Sequence, residues 1–401
     1  MININTQPSP LSIDNYKLEA FSTNQFQQDE SGFQKIVFGY FGEIGGLLSA
    51  VKKANRDNLI ATEADLAAEE LGDALWYLIN IANFLEVNAN DIGQQCIKAL
   101  RDKYKEKSQN PNTPVTFRQI DGLIDIHIQP GTTDRAKQLR TLAYNAGVLA
   151  KTSYQEYLNM PDKIRSIQLG RHLSELAITC SEFKLKLEDV ARANLIKINS
   201  RWPKENSSYP IPFDINQEPH ERFPSTLNIT FIERNGPAKG YVVQVLNDVF
   251  IGDRLTDNSN EPDDYRFHDV FHLAYLTFLG WSPVLRGLLK RKRKSDPRVD
   301  ENEDGARAMI IEEGIATWIF NQAKRQKFFF DGAQAKLDYG MLKQIKNMTT
   351  GYEVEKCQLW QWEKAIIEGF KIFRELKEHR GGTVMVNVLE HTIDFAPPPK
   401  S

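Results

Sequence analysis

The chain has few cysteines. Its 401 residues hold three, Cys96, Cys180 and Cys357, far apart and odd in number. That argues against a disulfide framework or a thiolate zinc site and for a reducing, cytoplasmic setting. No apolar run approaches the ~18–20 residues that a transmembrane helix needs, so no membrane partner is expected. The N-terminal MININTQPSP is polar, without a basic stretch leading into an apolar core, so no signal peptide is expected. Charge of one sign is also missing: 50 basic residues against 53 acidic ones leave a net −3. Bulk electrostatics therefore do not point to nucleic acid. What is present is 41% apolar and 26% charged residues, the composition of a globular protein with sizeable cores, long enough for two or three domains.

Residues 1–30 are rich in Asn, Gln and Ser and read as a polar arm. From 31 to 110 the pattern is helical: Leu71, Leu75, Leu78, Ile81, Ala82 and Leu85 recur mostly at spacings of three and four. A linker over 111–133 follows, with a breaker-rich connector at 108–117 and a short strand expected for GLIDIHI, 122–128. Helical periodicity returns over 134–205 and looks like a repeat. Leu71-Gly72 comes back 98 residues later as Leu169-Gly170, and the same offset pairs Leu75 with Leu173, Leu78 with Leu176, Asp91 with Asp189 and Ile92 with Val190. Beyond 206 the composition changes. LNITFIER, GYVVQVL and DVFIGDRL, with Asn-Gly and Asn-Asp at turns, predict a small antiparallel meander. Helices over 264–280, 304–327 and 353–378 and a closing strand over 383–395 complete an α+β domain.

FGYFGEIGGLLSA, residues 38–50, puts Gly39, Gly42, Gly45 and Gly46 into an otherwise helical stretch. Each mid-helix glycine costs about 0.5–1 kcal/mol relative to alanine. Either the stretch is a loop, or something approaches its backbone, or a glycine stands where a working residue belongs. Downstream, Glu70 and Asp73 are three apart and share a helix face beside a strongly apolar stripe. Paired carboxylates on facing helices can hold hard divalent cations such as Mg²⁺. The plainer alternative is a solvated acidic turn.

GEIGGLLSAVKK followed by EELGDALWYLINIANFLEV resembles the MazG-like all-α nucleoside triphosphate pyrophosphohydrolases, over some 70 residues. The family pattern is G-E-x-G-E-L, a spacer, then E-E-L-x-D-x-L-x-Y-L. The resemblance implies a four-helix-bundle arrangement built from subunits or repeats, hence a homo-oligomer as one option. It also implies acids that hold Mg²⁺, or Mn²⁺, around a nucleotide substrate. Carried over, Glu43, Glu70 and Asp73 take three of the four acidic positions, and Gly46 stands at the remaining one. The second copy keeps none of these acids: Glu70 and Asp73 align with Gln168 and Arg171, which reads as a scaffold copy. Arg171 or Lys197 could contact phosphate instead. Lys52 and Lys53, beyond the glycines, are candidate phosphate contacts.

In the C-terminal half, YRFHDVFHLAYLTFLGW sets His268 and His272 at i and i+4, the spacing of two-histidine metal sites on helices. AMIIEEGIATWIF offers Glu312 and Glu313 inside an apolar helix, where an unpaired acid is costly. His268, His272 and a glutamate could hold a second metal, and Asp269 beside His268 gives a partial likeness to HD phosphohydrolases. The alternative is a polar cluster in which these groups satisfy one another. Chains with a MazG-like front and an H-D-x-x-H tail of this kind resemble a bacterial two-part family with a dedicated MazG C-terminal domain. The basic LKRKRKSDPR, 289–298, reads as an exposed loop or a grip for polyphosphate or nucleic acid. Of Trp360 and Trp362, two apart on a helix, one is expected in the core and one at the surface.

The expected fold is mainly α: tandem MazG-like helical repeats followed by an α+β domain with a small antiparallel sheet. The expected function is Mg²⁺-dependent hydrolysis of a nucleoside triphosphate to monophosphate and pyrophosphate. Two rivals stand beside it: a nucleotide sensor without turnover that regulates the C-terminal domain, and an enzyme centred on the H-D-x-x-H helix alone.

Overall fold

A computed structural model describes residues 8–56, 62–106, 113–127, 134–204, 207–236, 239–329 and 336–399. Residues 1–7, 108–112 and 128–133, parts of the expected arm, connector and linker, lie outside that set. The chain divides into two compact units, Met1–Trp202 and Pro203–Ser401.

The first unit is helical. Helix α1 (Ile13–Ser22) falls in the segment expected to be a loose arm. Its polar composition hides Ile13, Tyr16 and Ala20, spaced three and four apart and fully buried, and Ser12 Oγ caps it by accepting from Asn15 N–H at 3.1 Å. Helix α2 (Glu30–Arg56) runs through the four glycines without a break. Helix α3 (Glu63–Phe84) opens with a reciprocal capping box between Thr62 and Asp65, and α4 (Ala89–Tyr104) is capped by Asn88. Over its described residues, 122–127, GLIDIHI is not a strand but the end of α5 (Phe117–His127), whose buried residues Phe117, Ile120, Asp121 and Ile124 keep helical spacing. Helices α6 (Arg135–Lys151), α7 (Tyr154–Leu158), α8 (Asp162–Glu182) and α9 (Leu187–Arg201) follow. One apolar core runs through residues of the first helices (Ile36, Leu71, Leu75, Ile92) and of the last (Leu142, Leu169, Leu173, Val190).

Two details of the backbone repeat at the 98-residue offset. Between α3 and α4, Glu86 adopts φ 54° and Val87 N–H donates to Ala82 O at 2.9 Å. Between α8 and α9, Lys184 adopts φ 60° and Leu185 N–H donates to Cys180 O at 2.9 Å. The glycines of the repeated Leu-Gly pair exchange partners. A Cβ on Gly72 would lie 3.2 Å from Asn194 Cβ and 3.6 Å from Val190 Cγ1. A Cβ on Gly170 would lie 2.9 Å from Ile92 O and 2.9 Å from Cys96 N, and Ile92 and Cys96 are the residues 98 positions before Val190 and Asn194. Such mutual exchange is how a two-fold axis relates two copies of one surface.

The second unit is built on a five-stranded antiparallel sheet in the order β3-β2-β1-β4-β5. Strands β1 (Thr226–Asn235), β2 (Gly240–Leu246) and β3 (Val249–Leu255) form the expected meander. The β2–β3 turn places Asn247 and Asp248 at φ 51° and 63°, the left-handed pair that two-residue hairpins need. The closing stretch is two strands, β4 (Gly381–Asn387) and β5 (Thr392–Ala396), because the chain turns at Val388–His391. Leu227, Ile229 and Phe231 alternate toward the core with Val384, Val386 and Ile393. Against that face packs α10 (Asp269–Leu279), buried at every residue. Around it lie α11 (Pro283–Leu288), α12 (Pro297–Asn302), α13 (Ala306–Lys324), α14 (Tyr339–Met348) and α15 (Leu359–His379). On α15, Trp362 is buried, whereas Trp360 is partly exposed against Tyr209. The basic 289–298 run is only partly a solvated loop. Arg293 is buried and holds Asp304 and Glu353, and Arg291 donates to His220 O.

Candidate functional site

In the first unit two of the four glycines within residues 38–50 of α2, Gly39 and Gly46, receive side chains of α3, while Gly42 and Gly45 face open space. A Cβ on Gly39 would fall 2.2 Å from a ring carbon of Tyr77, and a Cβ on Gly46 would fall 2.2 Å from Glu70 Oε2. Gly39 and Gly46 are seven apart, as are Glu70 and Tyr77, so each pair shares one helix face. Gly46 therefore does more than lack an acid. It vacates the space into which the Glu70 carboxylate folds, where that carboxyl hydrogen-bonds to Glu43.

Two carboxyls in hydrogen-bond contact cannot both ionise without large repulsion. Burial, the charges of Asp73 and Glu70 and the bond to Glu70 push Glu43 up to about 8, against a smaller opposing pull from Lys197. Burial also raises Glu70. Asp73 is held from α9: Asn194 Nδ2 donates to its Oδ1 at 3.0 Å, and Lys197 Nζ pairs with its Oδ2. Tyr16 OH fixes Asn194 through its Oδ1 at 2.8 Å. Lys197 also reaches Glu69 Oε1 at 3.5 Å. Thus Glu43, Glu70 and Asp73 converge in one half-buried cluster. Lys52 and Lys53 are exposed, with Lys52 about 13 Å along the helix axis from Glu43. Arg171 is exposed on α8. Asn194 and Tyr16 had no signal in the sequence, because their partners lie on other helices, whereas Tyr77 matches the tyrosine of the family pattern but its partner Gly39 was not foreseen.

In the second unit a different set meets at the start of α10. His268 is its cap residue, preceded by a 3-10 turn over Tyr265–Phe267. His268 Nδ1 lies 2.8 Å from Tyr265 O. A carbonyl only accepts, so Nδ1 carries the proton and Nε2 is directed away from it. His272 Nδ1 lies 2.8 Å from Glu312 Oε1. Glu312 also accepts from Ser282 Oγ at 2.6 Å and from Val284 N–H at 2.8 Å. Glu312, expected as a metal ligand, is thereby occupied in holding His272. Asp269 pairs with His268: its Oδ1 is 3.2 Å from His268 Nε2, and its Oδ2 accepts from Gln244 Nε2 of β2. The ligand atoms of His268, Asp269 and His272 all lie within 4.8 Å of one another. Among the described residues, the N-terminal carboxylates do not close to that spacing. Glu313 stands on the open side, with its oxygens 3.5 Å from His272 Nε2 and 4.0 Å from His268 Nε2. Burial disfavours a charged His272, but Glu312 and Glu313 outweigh it and hold this imidazole well above its usual range. Burial likewise raises Glu313, yet His272 and His268 bring it below its usual value. The pocket favours positive charge between these groups.

Residues 208–399 match the family model of the MazG C-terminal domain, so the C-terminal unit carries a domain of that family. The Gene 37 protein of Mycobacterium phage L5 is 34% identical over 76 residues, which is 18% of this chain and 66% of that protein. The chain thus spans slightly less than two thirds of that relative's length. No solved structure matches the chain. Among the described residues, no helix is long and apolar enough to cross a membrane.

Proposed function

We propose that the N-terminal unit binds a nucleoside triphosphate with Mg²⁺ or Mn²⁺ and hydrolyses it to the monophosphate and pyrophosphate. The observation that carries this reading is the convergence of Glu43, Glu70 and Asp73 in one half-buried cluster, with Glu43 and Glu70 in hydrogen-bond contact and Asp73 beside them. The donors fit a hard divalent cation: they are all carboxylate oxygens, and Mg²⁺ at a nucleotide needs only one or two of them. When bound, the ion would offset phosphate charge and polarise the phosphoryl oxygens. The Glu43–Glu70 pair would release its shared proton to solvent on taking up the ion, since carboxylate ligands must be deprotonated. Asn194 and Lys197 hold Asp73 in one orientation, and Tyr16 holds Asn194. Lys53 lies two turns beyond Gly46 on the same face and, with Lys52, would be a contact for the outer phosphates. The reciprocal Gly72 and Gly170 contacts support reading α6–α9 as a copy of α2–α4 that has lost its own acids and supplies Asn194 and Lys197 to the surviving site.

The test is pyrophosphate release from a panel of nucleotides with Mg²⁺ or Mn²⁺. Asp73→Asn should lower turnover by about 100-fold or more, since even outer-shell changes at metal sites cost about 10–100-fold. Far-UV circular dichroism should stay unchanged, because the amide is nearly isosteric. Full activity in Asp73→Asn would overturn the assignment. Saturable nucleotide binding without turnover in the wild type would favour the sensor.

A further inference from the structure

We propose that His268, Asp269 and His272 form a second metal centre, in the C-terminal unit, that takes a first-row transition ion such as Mn²⁺, Fe²⁺, Co²⁺ or Zn²⁺. The proposal stands independently of the N-terminal acid cluster. Its first support is the outer shell. Each of the three donors is oriented by its own partner from another part of the unit: His268 by the Tyr265 carbonyl, His272 by Glu312, and Asp269 by Gln244. Glu312 is in turn fixed by Ser282 and the Val284 N–H. Metal-binding histidines characteristically donate their remote N–H to a carboxylate or carbonyl, which fixes the tautomer and aims the other nitrogen. Both histidines here do so.

The second support is an unmatched atom. A buried His272–Glu312 ion pair accounts for Nδ1, but it leaves His272 Nε2 buried with no well-formed hydrogen bond, the Glu313 carboxylate standing 3.5 Å away. His272 belongs to the group, with His268 and Asp269, whose ligand atoms already lie within 4.8 Å of one another. Three donors about 2.1 Å from one ion lie about 3.0–3.6 Å from one another; His268 Nε2 and Asp269 Oδ1 already stand at 3.2 Å, and closing the rest of the set takes a contraction of about 1 Å. Two imidazoles with a carboxylate favour a transition ion over Mg²⁺, which prefers oxygen.

The third support is access. Glu313 is the acid on the open side, its side chain 42% exposed, while the other donors are buried. Three buried protein ligands with a solvent-facing position is the arrangement of catalytic rather than structural metal sites. Glu313 is placed to accept a proton from a molecule bound at that position.

The experiment uses the full chain, stripped with a chelator and titrated with Co²⁺ alone, read by visible absorption and calorimetry. One Co²⁺ per chain should give the absorption of an imidazole–carboxylate site, and azide should perturb it through the open position. His268→Asn should weaken binding at least about 100-fold and Gln244→Leu about 10–100-fold. Both leave the His272–Glu312 pair intact, and near-UV circular dichroism would confirm the fold. The double variant Glu43→Gln/Glu70→Gln should keep the visible signal. If Co²⁺ does not bind, or binds His268→Asn as it binds the wild type, the group is a buried ion pair only and the proposal fails. A signal lost in the double variant but kept in His268→Asn would also overturn it. A bound Co²⁺ insensitive to azide would contradict the open position.

Discussion

Gly46 and Glu70 occupy one volume, and that sharing governs the chemistry available to the acid cluster. Adding a methyl group at Gly46 would put a Cβ 2.2 Å from Glu70 Oε2. The helix would gain about 0.5–1 kcal/mol from losing a glycine, while Glu70, the far end of a flexible side chain, would swing away from Glu43. Gly46→Ala is therefore expected to keep or raise the melting temperature and to weaken Mg²⁺ binding about 10-fold or more, read by calorimetry. Unchanged affinity would remove Glu70 from the ligand set. The sequence made part of this legible. The load of glycines signalled a close approach, and the family pattern placed Glu43, Glu70 and Asp73. It did not say which side chain fills each gap, because Tyr77 and Glu70 arrive from another helix. In the C-terminal unit the i, i+4 histidines were equally legible, but Gln244 and Ser282 were not, since they come from a strand and a turn remote in sequence.

Among the elements, α9 depends on a carboxylate from α5. The Asp121 oxygens accept from Leu187 N–H at 2.8 Å and Glu188 N–H at 2.9 Å, and α9 has no side-chain cap of its own. Asp121→Ala should cost about 1–2 kcal/mol in urea unfolding, the effect of losing a helix cap. Burial outweighs these two bonds and pushes Asp121 up to about 6. An acid raised on folding contributes stability that is present below its unfolded value and lost as pH rises through the folded one. The wild type should thus gain stability relative to Asp121→Asn as pH falls from about 7 to 4, measured by parallel denaturant titrations. A difference that stays flat across that window would contradict the buried charge. The alternation Ile124-Asp125-Ile126 mimics a strand, whereas the helical run that it ends starts earlier, at Phe117 and Ile120. In the closing segment Leu389 continues the apolar pattern through what is a turn, so the sequence shows one strand where the chain forms two.

At the scale of the molecule, two cores divide the chain, one from Ile13 to Ala191 and one from Leu227 to Ile393. Each unit closes its own apolar cluster, so residues 1–202 and 203–401 should fold when expressed separately. Each should show a cooperative denaturant transition, and Co²⁺ should bind the second fragment. Failure of either fragment to unfold cooperatively would mean that the cores depend on one another.

The central claim, a nucleotide site on Glu43, Glu70 and Asp73, is tested most directly by identifying the products after the full chain is incubated with nucleoside triphosphates and Mg²⁺. The account predicts nucleoside monophosphate and pyrophosphate in equal amounts, absent without the divalent ion. Diphosphate with orthophosphate, or no product from any nucleotide that binds, would contradict it.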